Sequence, residues 1–305
     1  QVGRARVLVD GAPVIDGITD PPPPGEAFFG LGSAEMSAEV HLAAGHPVRI
    51  TVEYSSEGAF MFRGVQVGLL PPERDDLIDR AVVAAEACEA VVLVVGTNDD
   101  WETEGRDRED MDLPGDQAEL IRRVVAANPR TVVVVNAGSV VTMDWAEEAP
   151  AVLQSWFGGQ EMGDALVDVL FGDAEPGGRL PTTVPQRLSD TPAFTNYPGE
   201  AGRVHYGEGV FVGYRWYEAR DIEVAYPFGH GLGYTTFRWG EPSLDEIPSI
   251  AELEAGATVT VTVPVTNSGD RAGSEVVQCY VAPTAPRLTR PVRELQGFAK
   301  GRLEP

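Results

Sequence analysis

AVVLVVG at Ala90–Gly96 is the most strand-like run in this chain, and TNDDWETEGRDREDMDLP at Thr97–Pro114 follows it directly. A short, uninterrupted run of valine and leucine is typical of a strand buried on both faces of a sheet. The second stretch is dense in acids: Asp99, Asp100, Glu102, Glu104, Asp107, Glu109, Asp110 and Asp112. Because like charges repel, a fold crowds them only in a pocket that uses carboxylates or where water solvates them freely. A loop leaving the carboxyl end of such a strand favours a functional site.

The segments around this stretch predict a parallel sheet. Asp76–Glu89 and Gly115–Ala127 have helical periodicity, and the apolar run Thr131–Asn136 predicts a second buried strand. Two such strands separated by a helix form a βαβ unit, in which the strands are parallel. A third unit is predicted, with Ala151–Phe157 as its strand and Glu161–Phe171 as its helix. The middle of the chain is therefore expected to be an α/β domain with a mostly parallel sheet.

Both ends of the chain are predicted to be β. The runs with alternating or β-branched residues are Val7–Asp10, Glu39–Leu42, Val48–Tyr54 and Gly64–Leu70 in the first segment, and Thr258–Val265 and Glu275–Ala282 in the last. The last two are typical of an antiparallel sandwich. The first segment begins, and the last one ends, inside a strand pattern, so we expect the natural polypeptide to extend further in both directions.

Composition excludes several classes of partner. The chain has 305 residues, which is enough for two or three domains with their own cores. Its net charge of -24 would repel nucleic acid and an anionic membrane surface. No apolar run in the sequence approaches the roughly 20 residues that span a bilayer. We therefore expect neutral or cationic ligands, and neither nucleic acid nor a membrane as a partner.

Other features of the sequence have competing interpretations. Aromatic residues crowd the later part of the chain: Phe194, Tyr197, Tyr206, Phe211, Tyr214, Trp216, Tyr217, Tyr226, Phe228, Tyr234 and Phe237. Such rings can form a sugar-stacking platform or hold a long loop onto its core, and we favour the second interpretation. The four histidines do not sit at metal-ligand spacings, and Ser139 is not in a nucleophile elbow. Neither a metal site nor a serine hydrolase is expected.

Four motifs carry a resemblance to a known family. In order along the chain they are VVVNAGSVVTMDW at Val133–Trp145, QSWFGGQEMG at Gln154–Gly163, FGDAEPGGRLP at Phe171–Pro181 and YPFGHGLGYTTF at Tyr226–Phe237. They resemble the carboxyl-terminal half of the β-glucosidases of glycoside hydrolase family 3. In that family an amino-terminal (β/α)8 barrel precedes an α/β sandwich and often a fibronectin type III-like domain, and some members carry a protective-antigen-type β-sandwich insert.

The resemblance implies three domains here. Residues 1–71 are expected to be the later part of the insert, residues 72–237 a three-layer α/β sandwich, and residues 238–305 the start of the fibronectin type III-like domain. The barrel of such an enzyme would lie outside this chain.

The resemblance also implies a catalytic residue. Retaining glycosidases use two carboxyl groups about 5–5.5 Å apart, one as nucleophile and one as general acid/base. In the family the nucleophile is an aspartate of the barrel, and the acid/base is a glutamate in a Glu-Gly-x-Asp-Arg context followed by Leu-Pro. That context matches Glu104-Gly105-Arg106-Asp107-Arg108 with Leu113-Pro114 downstream, so Glu104 is the expected acid/base. Glu102 is the rival acid. Gly105 favours Glu104, because a glycine permits close approach of the backbone.

Phe60 and Phe62, in EGAFMFRG, are the candidate substrate-binding aromatics. In the family the insert overhangs the mouth of the active site, which would place the two rings on the aglycone side. The competing interpretation is a core role, since alternation along one strand would send both rings to the same face. The sequence leaves both interpretations open.

The sequence therefore predicts part of a retaining exo-glycosidase that hydrolyses terminal β-D-glucosyl or related residues of oligosaccharides or glycosides. Its expected partners are the glycoside substrate and the barrel of the same protein, and no cofactor is expected. By itself the chain is expected to be inactive. The alternative is a non-catalytic carbohydrate-binding or scaffolding piece. A nucleotide-binding domain is disfavoured, because neither Ala90–Gly96 nor Thr131–Asn136 precedes a glycine fingerprint.

Overall fold

The computed structural model describes residues 1–25, 30–72, 74–105 and 107–305. The chain forms two compact units, Gln1–Asp75 and Asp76–Pro305. Within the described ranges, no helix has both the length and the apolar character needed to cross a membrane.

The first unit contains a three-stranded antiparallel sheet of order β2-β1-β3. Its strands are β1 (Arg4–Val9), β2 (Ala12–Asp16) and β3 (Ile50–Ser55). Asp10 and Gly11 connect β1 to β2 with φ of 48° and 83°, and two positive φ values are the requirement of a type I′ hairpin. The prediction of strands at 39–42 and 64–70 is wrong, since neither range forms a strand in the structure. An alternating pattern becomes a strand only where a neighbour accepts its hydrogen bonds, and Gly64 makes no more than an isolated bridge with Val2.

The second unit is built on the predicted parallel sheet, of order β4-β5-β6. The strands are β4 (Val91–Gly96), β5 (Thr131–Asn136) and β6 (Ala151–Gln154), and the helices that follow the same pattern are α1 (Leu77–Glu86), α2 (Gln117–Ala127) and α3 (Met162–Phe171). The predicted mixed α/β fold with a parallel sheet is confirmed.

The core of the second unit lies between the sheet and α2. Val133 and Val135 of β5 pack with Ile121 and Val125 of α2 and with Trp145. The indole of Trp145 is 1% exposed, and the two valines are fully buried. Full burial of a valine side chain contributes about 1.5–3 kcal/mol to the free energy of folding. Because β5 is the central strand, this cluster fixes the edge from which the acid-rich stretch departs.

The rest of the second unit consists of short elements. They are β7 (Val184–Pro185), a 3₁₀ turn (Leu188–Asp190), α4 (Tyr214–Arg220), β8 (Val224–Tyr226), β9 (Phe237–Trp239), β10 (Ser243–Leu244), α5 (Ile250–Glu254), β11 (Val261–Thr262), β12 (Val265–Asn267), β13 (Gly273–Val281) and β14 (Glu294–Leu303). The antiparallel pairs are β7 with β8, β9 with β12, β10 with β11, and β13 with β14. The strand predicted at 258–265 is interrupted at Pro264, which has no N–H to donate to a ladder.

Several rings of the aromatic segment, residues 194–237, hold that segment to its surroundings. Tyr214 stacks on Phe228 with ring centroids 5.3 Å apart and meets Tyr280 edge-on at 5.7 Å. Trp216 donates its Nε1–H to the carbonyl of Asp190. Burial, with a smaller contribution from the Asp190 charge, raises the pKa of Tyr217 to about 12. These rings serve packing rather than an open platform.

Candidate active site

Three loops leave the carboxyl ends of β4, β5 and β6, which lie at one edge of the parallel sheet because parallel strands end together. Such an edge is where open α/β sheets bind ligands. The backbone joins the loops there, since the Thr97 N–H donates to the Asn136 carbonyl at 3.1 Å and the Ser155 N–H donates to the Val135 carbonyl at 3.0 Å. The acid-rich loop, residues 97–114, starts beside the other two loops.

The entry to the acid-rich loop is fixed by Gly96 and Gln117. A Cβ at Gly96 would lie 1.9 Å from the carbonyl oxygen of Asn136, so this close approach of two backbones requires glycine. The side-chain amide of Gln117 accepts from the Gly96 N–H at 2.7 Å and donates to the Gly96 carbonyl at 2.9 Å. The first turn of α2 therefore holds the last residue of β4.

The exit of the loop is fixed by burial and by Thr142. Met111 and Leu113 are 8% and 5% exposed. The Thr142 N–H donates to the Met111 carbonyl at 2.8 Å, and its hydroxyl donates to the Asp112 carboxylate at 2.5 Å. Between these anchors the acids face solvent, except Glu102. Solvation thus accounts for most of the acidic density.

Glu102 is bound into the protein. Its side chain is 14% exposed, and its Oε1 accepts from the Thr97 hydroxyl at 2.5 Å and from the Gly138 N–H at 3.0 Å. The Arg108 Nη1 lies 3.9 Å from the same oxygen. Glu102, the rival acid, therefore has three partners, all at Oε1.

Arg108 ties the other side of the loop to the residues after β5. Its Nη1 donates to the Ser139 hydroxyl at 2.8 Å and to the Val140 carbonyl at 3.4 Å, and its Nε donates to the Asp110 carbonyl at 3.2 Å. Among the described residues, its carboxylate partner is Glu102.

Asp107 instead accepts a hydrogen bond from the hydroxyl of Tyr197, which belongs to the aromatic segment. This bond, with the negative charge of the same carboxylate, raises the pKa of Tyr197. The contact links the acid-rich loop to a second segment of the unit.

Glu104, the expected acid/base, is exposed, and its carboxylate has no hydrogen-bond or ion-pair partner among the residues that the structure describes. A Cβ at Gly105 would likewise meet no atom within 4 Å in that part of the chain. The close approach that favoured Glu104 is thus not made within the described chain. The two glutamates differ in their partners. Among the described residues the Glu104 carboxylate has none, whereas the Glu102 carboxylate is bound.

Phe60 and Phe62 belong to the first unit, and neither lies in a strand. The argument from alternation therefore does not apply to them. The Phe60 ring is 89% exposed, so it is not a core residue of this unit, whereas Phe62 is 38% exposed and has a contact with the protein.

Sequence reasoning missed two aromatic residues at the sheet edge. Trp156 adopts a φ of 54°. A positive φ is uncommon for a bulky residue, and residues with such backbone conformations cluster at functional sites. Phe157 is 52% exposed, and its ring lies 2.7 Å from the position of a Cβ on Gly138. Both residues fall inside the predicted strand Ala151–Phe157, whereas β6 ends at Gln154 and leaves them in the loop that follows. In the described ranges, no group of three or more His, Cys, Asp or Glu could hold a metal ion.

Comparison with known proteins identifies the chain. The family model for the glycosyl hydrolase family 3 C-terminal domain matches residues 9–234, and the model for the fibronectin type III-like domain matches residues 275–305. The two matches define the class of protein, an α/β domain of a glycoside hydrolase followed by a fibronectin type III-like segment. The chain belongs to glycoside hydrolase family 3.

Individual relatives agree with this assignment. The chain is 47% identical over 314 residues to a β-glucosidase of Rhizobium radiobacter and 44% identical over 316 residues to a probable β-glucosidase I of Aspergillus terreus, matched over all of this chain and 38% of each relative. It superposes on the crystal structure of a β-glucosidase from Kluyveromyces marxianus in complex with glucose, with a TM-score of 0.85, 41% identity, and coverage of 100% of this chain and 36% of that one. The chain thus spans little more than a third of these proteins.

Proposed function

We propose that this chain supplies the general acid/base of a retaining β-glucosidase. The observation that carries the proposal is the contrast between two acids of one anchored loop. Glu104 is an exposed carboxylate without a partner in the described chain, while Glu102 accepts two hydrogen bonds and forms an ion pair with Arg108. The family resemblance supplies the aspartate nucleophile from a barrel outside these 305 residues. Residues 1–71, 72–237 and 238–305 are the proposed insert, α/β and fibronectin-like domains.

In this proposal Glu104 acts twice. It first gives its proton to the glycosidic oxygen as the bond from that oxygen to the anomeric carbon breaks, while the nucleophile forms a glycosyl ester at the same carbon. It then takes a proton from the water that attacks the ester, which releases the sugar with its original configuration and restores the acid. The proposed substrates are terminal β-D-glucosyl residues of oligosaccharides or glycosides.

The test is a chimaera: the Rhizobium radiobacter relative with its matching segment replaced by this chain. We expect the chimaera to hydrolyse aryl β-glucosides, because the two parts would complete one site. The unmodified relative is the positive control. A chimaera that folds, by thermal unfolding and circular dichroism, but hydrolyses no β-glucoside would contradict the proposal.

We further propose that Phe60 and Phe62 contact the aglycone. In the chimaera, Phe60→Ala and Phe62→Ala are expected to raise the KM for aryl or longer aglycones by a factor equivalent to about 1–3 kcal/mol, with the fold intact. Leu69→Ala is the matched control, because Leu69 is a 68% exposed apolar residue of the same unit. A loss of about 3–5 kcal/mol in unfolding free energy without a change in substrate preference would indicate a packing role instead.

A further inference from the structure

We propose that Glu102 is a positioning residue that holds the Glu104 loop in one conformation over the edge of the sheet. The contacts of Glu102 stand by themselves, whereas the catalytic consequence depends on the proposed function of Glu104.

The first observation is the set of donors that meet at one oxygen. Glu102 Oε1 receives the Thr97 hydroxyl, the Gly138 N–H and, at longer range, the Arg108 guanidinium. A carboxylate has only acceptors, which matches a site built from donors. The side chain is 14% exposed, so these hydrogen bonds form in a partly dehydrated place, where charge-assisted bonds are stronger than neutral ones.

The second observation is the geometry of the anchoring. Glu102 and Arg108 stand on either side of residues 103–107, and both reach the loop after β5, through Gly138 and Ser139. The described part of the segment between them, which includes Glu104, has its two flanks tied to one support. Loss of either tie would leave Glu104 attached through a longer, freer segment.

Gly138 shows that the support is shaped for this contact. A Cβ there would lie 2.6 Å from Glu102 Oε2 and 2.7 Å from the Phe157 ring, distances that real Cβ atoms do not reach. Only glycine lets the backbone N–H come within hydrogen-bonding distance of Glu102 while Phe157 stays in place.

The expected catalytic signature follows from this role. Glu102 is proposed to touch no substrate, so its loss should lower kcat and leave KM nearly unchanged. A misplacement of about 1 Å can reduce a rate by about 10²-fold. The loss should be larger for alkyl glucosides, whose leaving group needs the proton, than for aryl glucosides with acidic phenols.

The structural arm of the test is hydrogen exchange on the 305-residue chain. Glu102→Ala is expected to speed exchange of the Gly138 amide and of the amides of residues 98–105, 107 and 108 by about tenfold or more, because the variant removes the charged acceptor of the Gly138 N–H and the Thr97 hydroxyl. Glu109→Ala is the matched control, because Glu109 is an exposed acid of the same loop. Thr97→Val, which removes one donor, should give a smaller increase in the same amides and replaces Glu102→Ala if that variant unfolds. Unchanged exchange in both test variants would overturn the proposal.

The kinetic arm uses the chimaera. Glu102→Ala should lower kcat for an alkyl β-glucoside at least about tenfold, and Glu102→Gln, which keeps one acceptor oxygen, should recover part of that loss. Rescue of Glu102→Ala by azide to the level reached with Glu104→Ala would make Glu102 the acid/base and overturn the positioning role. Faster exchange in Glu102→Ala, combined with full activity of Glu104→Ala, would instead reject the proposed function and leave the structural role of Glu102 intact.

Discussion

Glu104→Ala in the chimaera is expected to lower hydrolysis of alkyl β-glucosides by about 10²–10⁴-fold, the usual contribution of a positioned general acid. Alkoxide leaving groups depart slowly without a proton. An acidic phenol leaves an aryl glucoside as the phenolate, without needing a proton. The first step with these substrates should therefore be spared, and the glycosyl-enzyme should accumulate. A burst of phenol followed by slow turnover is the measurement.

Azide gives the same variant a second signature. Azide attacks the glycosyl-enzyme without help from a base, so it should restore turnover and yield a glucosyl azide of retained β configuration. Glu109→Ala, in the same loop, should keep normal kinetics. If Glu102→Ala shows the burst and the azide product while Glu104→Ala does not, the acid/base has been assigned to the wrong glutamate.

The sheet could be predicted from sequence because its signals are local. The valine runs of β4 and β5 and the periodicity of α1, α2 and α3 contain their own pattern, and the parallel register follows from the connection. The failures at 39–42 and 64–70 have the opposite cause. Alternation there describes a strand that needs a partner, and in the described part of the first unit these two runs make one bridge, from Val2 to Gly64. Pairing is a long-range property that a local pattern does not contain.

The site shows the same division. The family motif indicates an acid in the loop, but spacing could not separate Glu102 from Glu104, because the groups that distinguish them are distant in sequence. The Gly138 N–H lies 36 residues from Glu102, and Ser139 lies 31 residues from Arg108. The sequence argument from Gly105 pointed to the same glutamate for a reason that the described structure does not contain.

The second large effect is expected from the chain alone. The 305-residue chain should hydrolyse no glucoside at a measurable rate, because the proposed function takes the nucleophile and the wall that orients the sugar from a barrel outside this chain. Without them neither covalent catalysis nor proximity is available to Glu104. The chain should also tend to associate, since Val92 and Val94 of β4 are 51% and 54% exposed and Phe171 of α3 is 81% exposed.

The measurement that tests the central claim most directly is therefore the rate of alkyl β-glucoside hydrolysis when this chain is mixed with the amino-terminal part of the Rhizobium radiobacter relative. Each piece is assayed alone and with its partner, and Glu104→Gln is carried through every mixture. A shared site predicts activity that arises only on mixing and is lost in Glu104→Gln. Activity in the isolated chain that Glu104→Gln leaves unchanged would contradict the account and locate catalysis elsewhere in the chain.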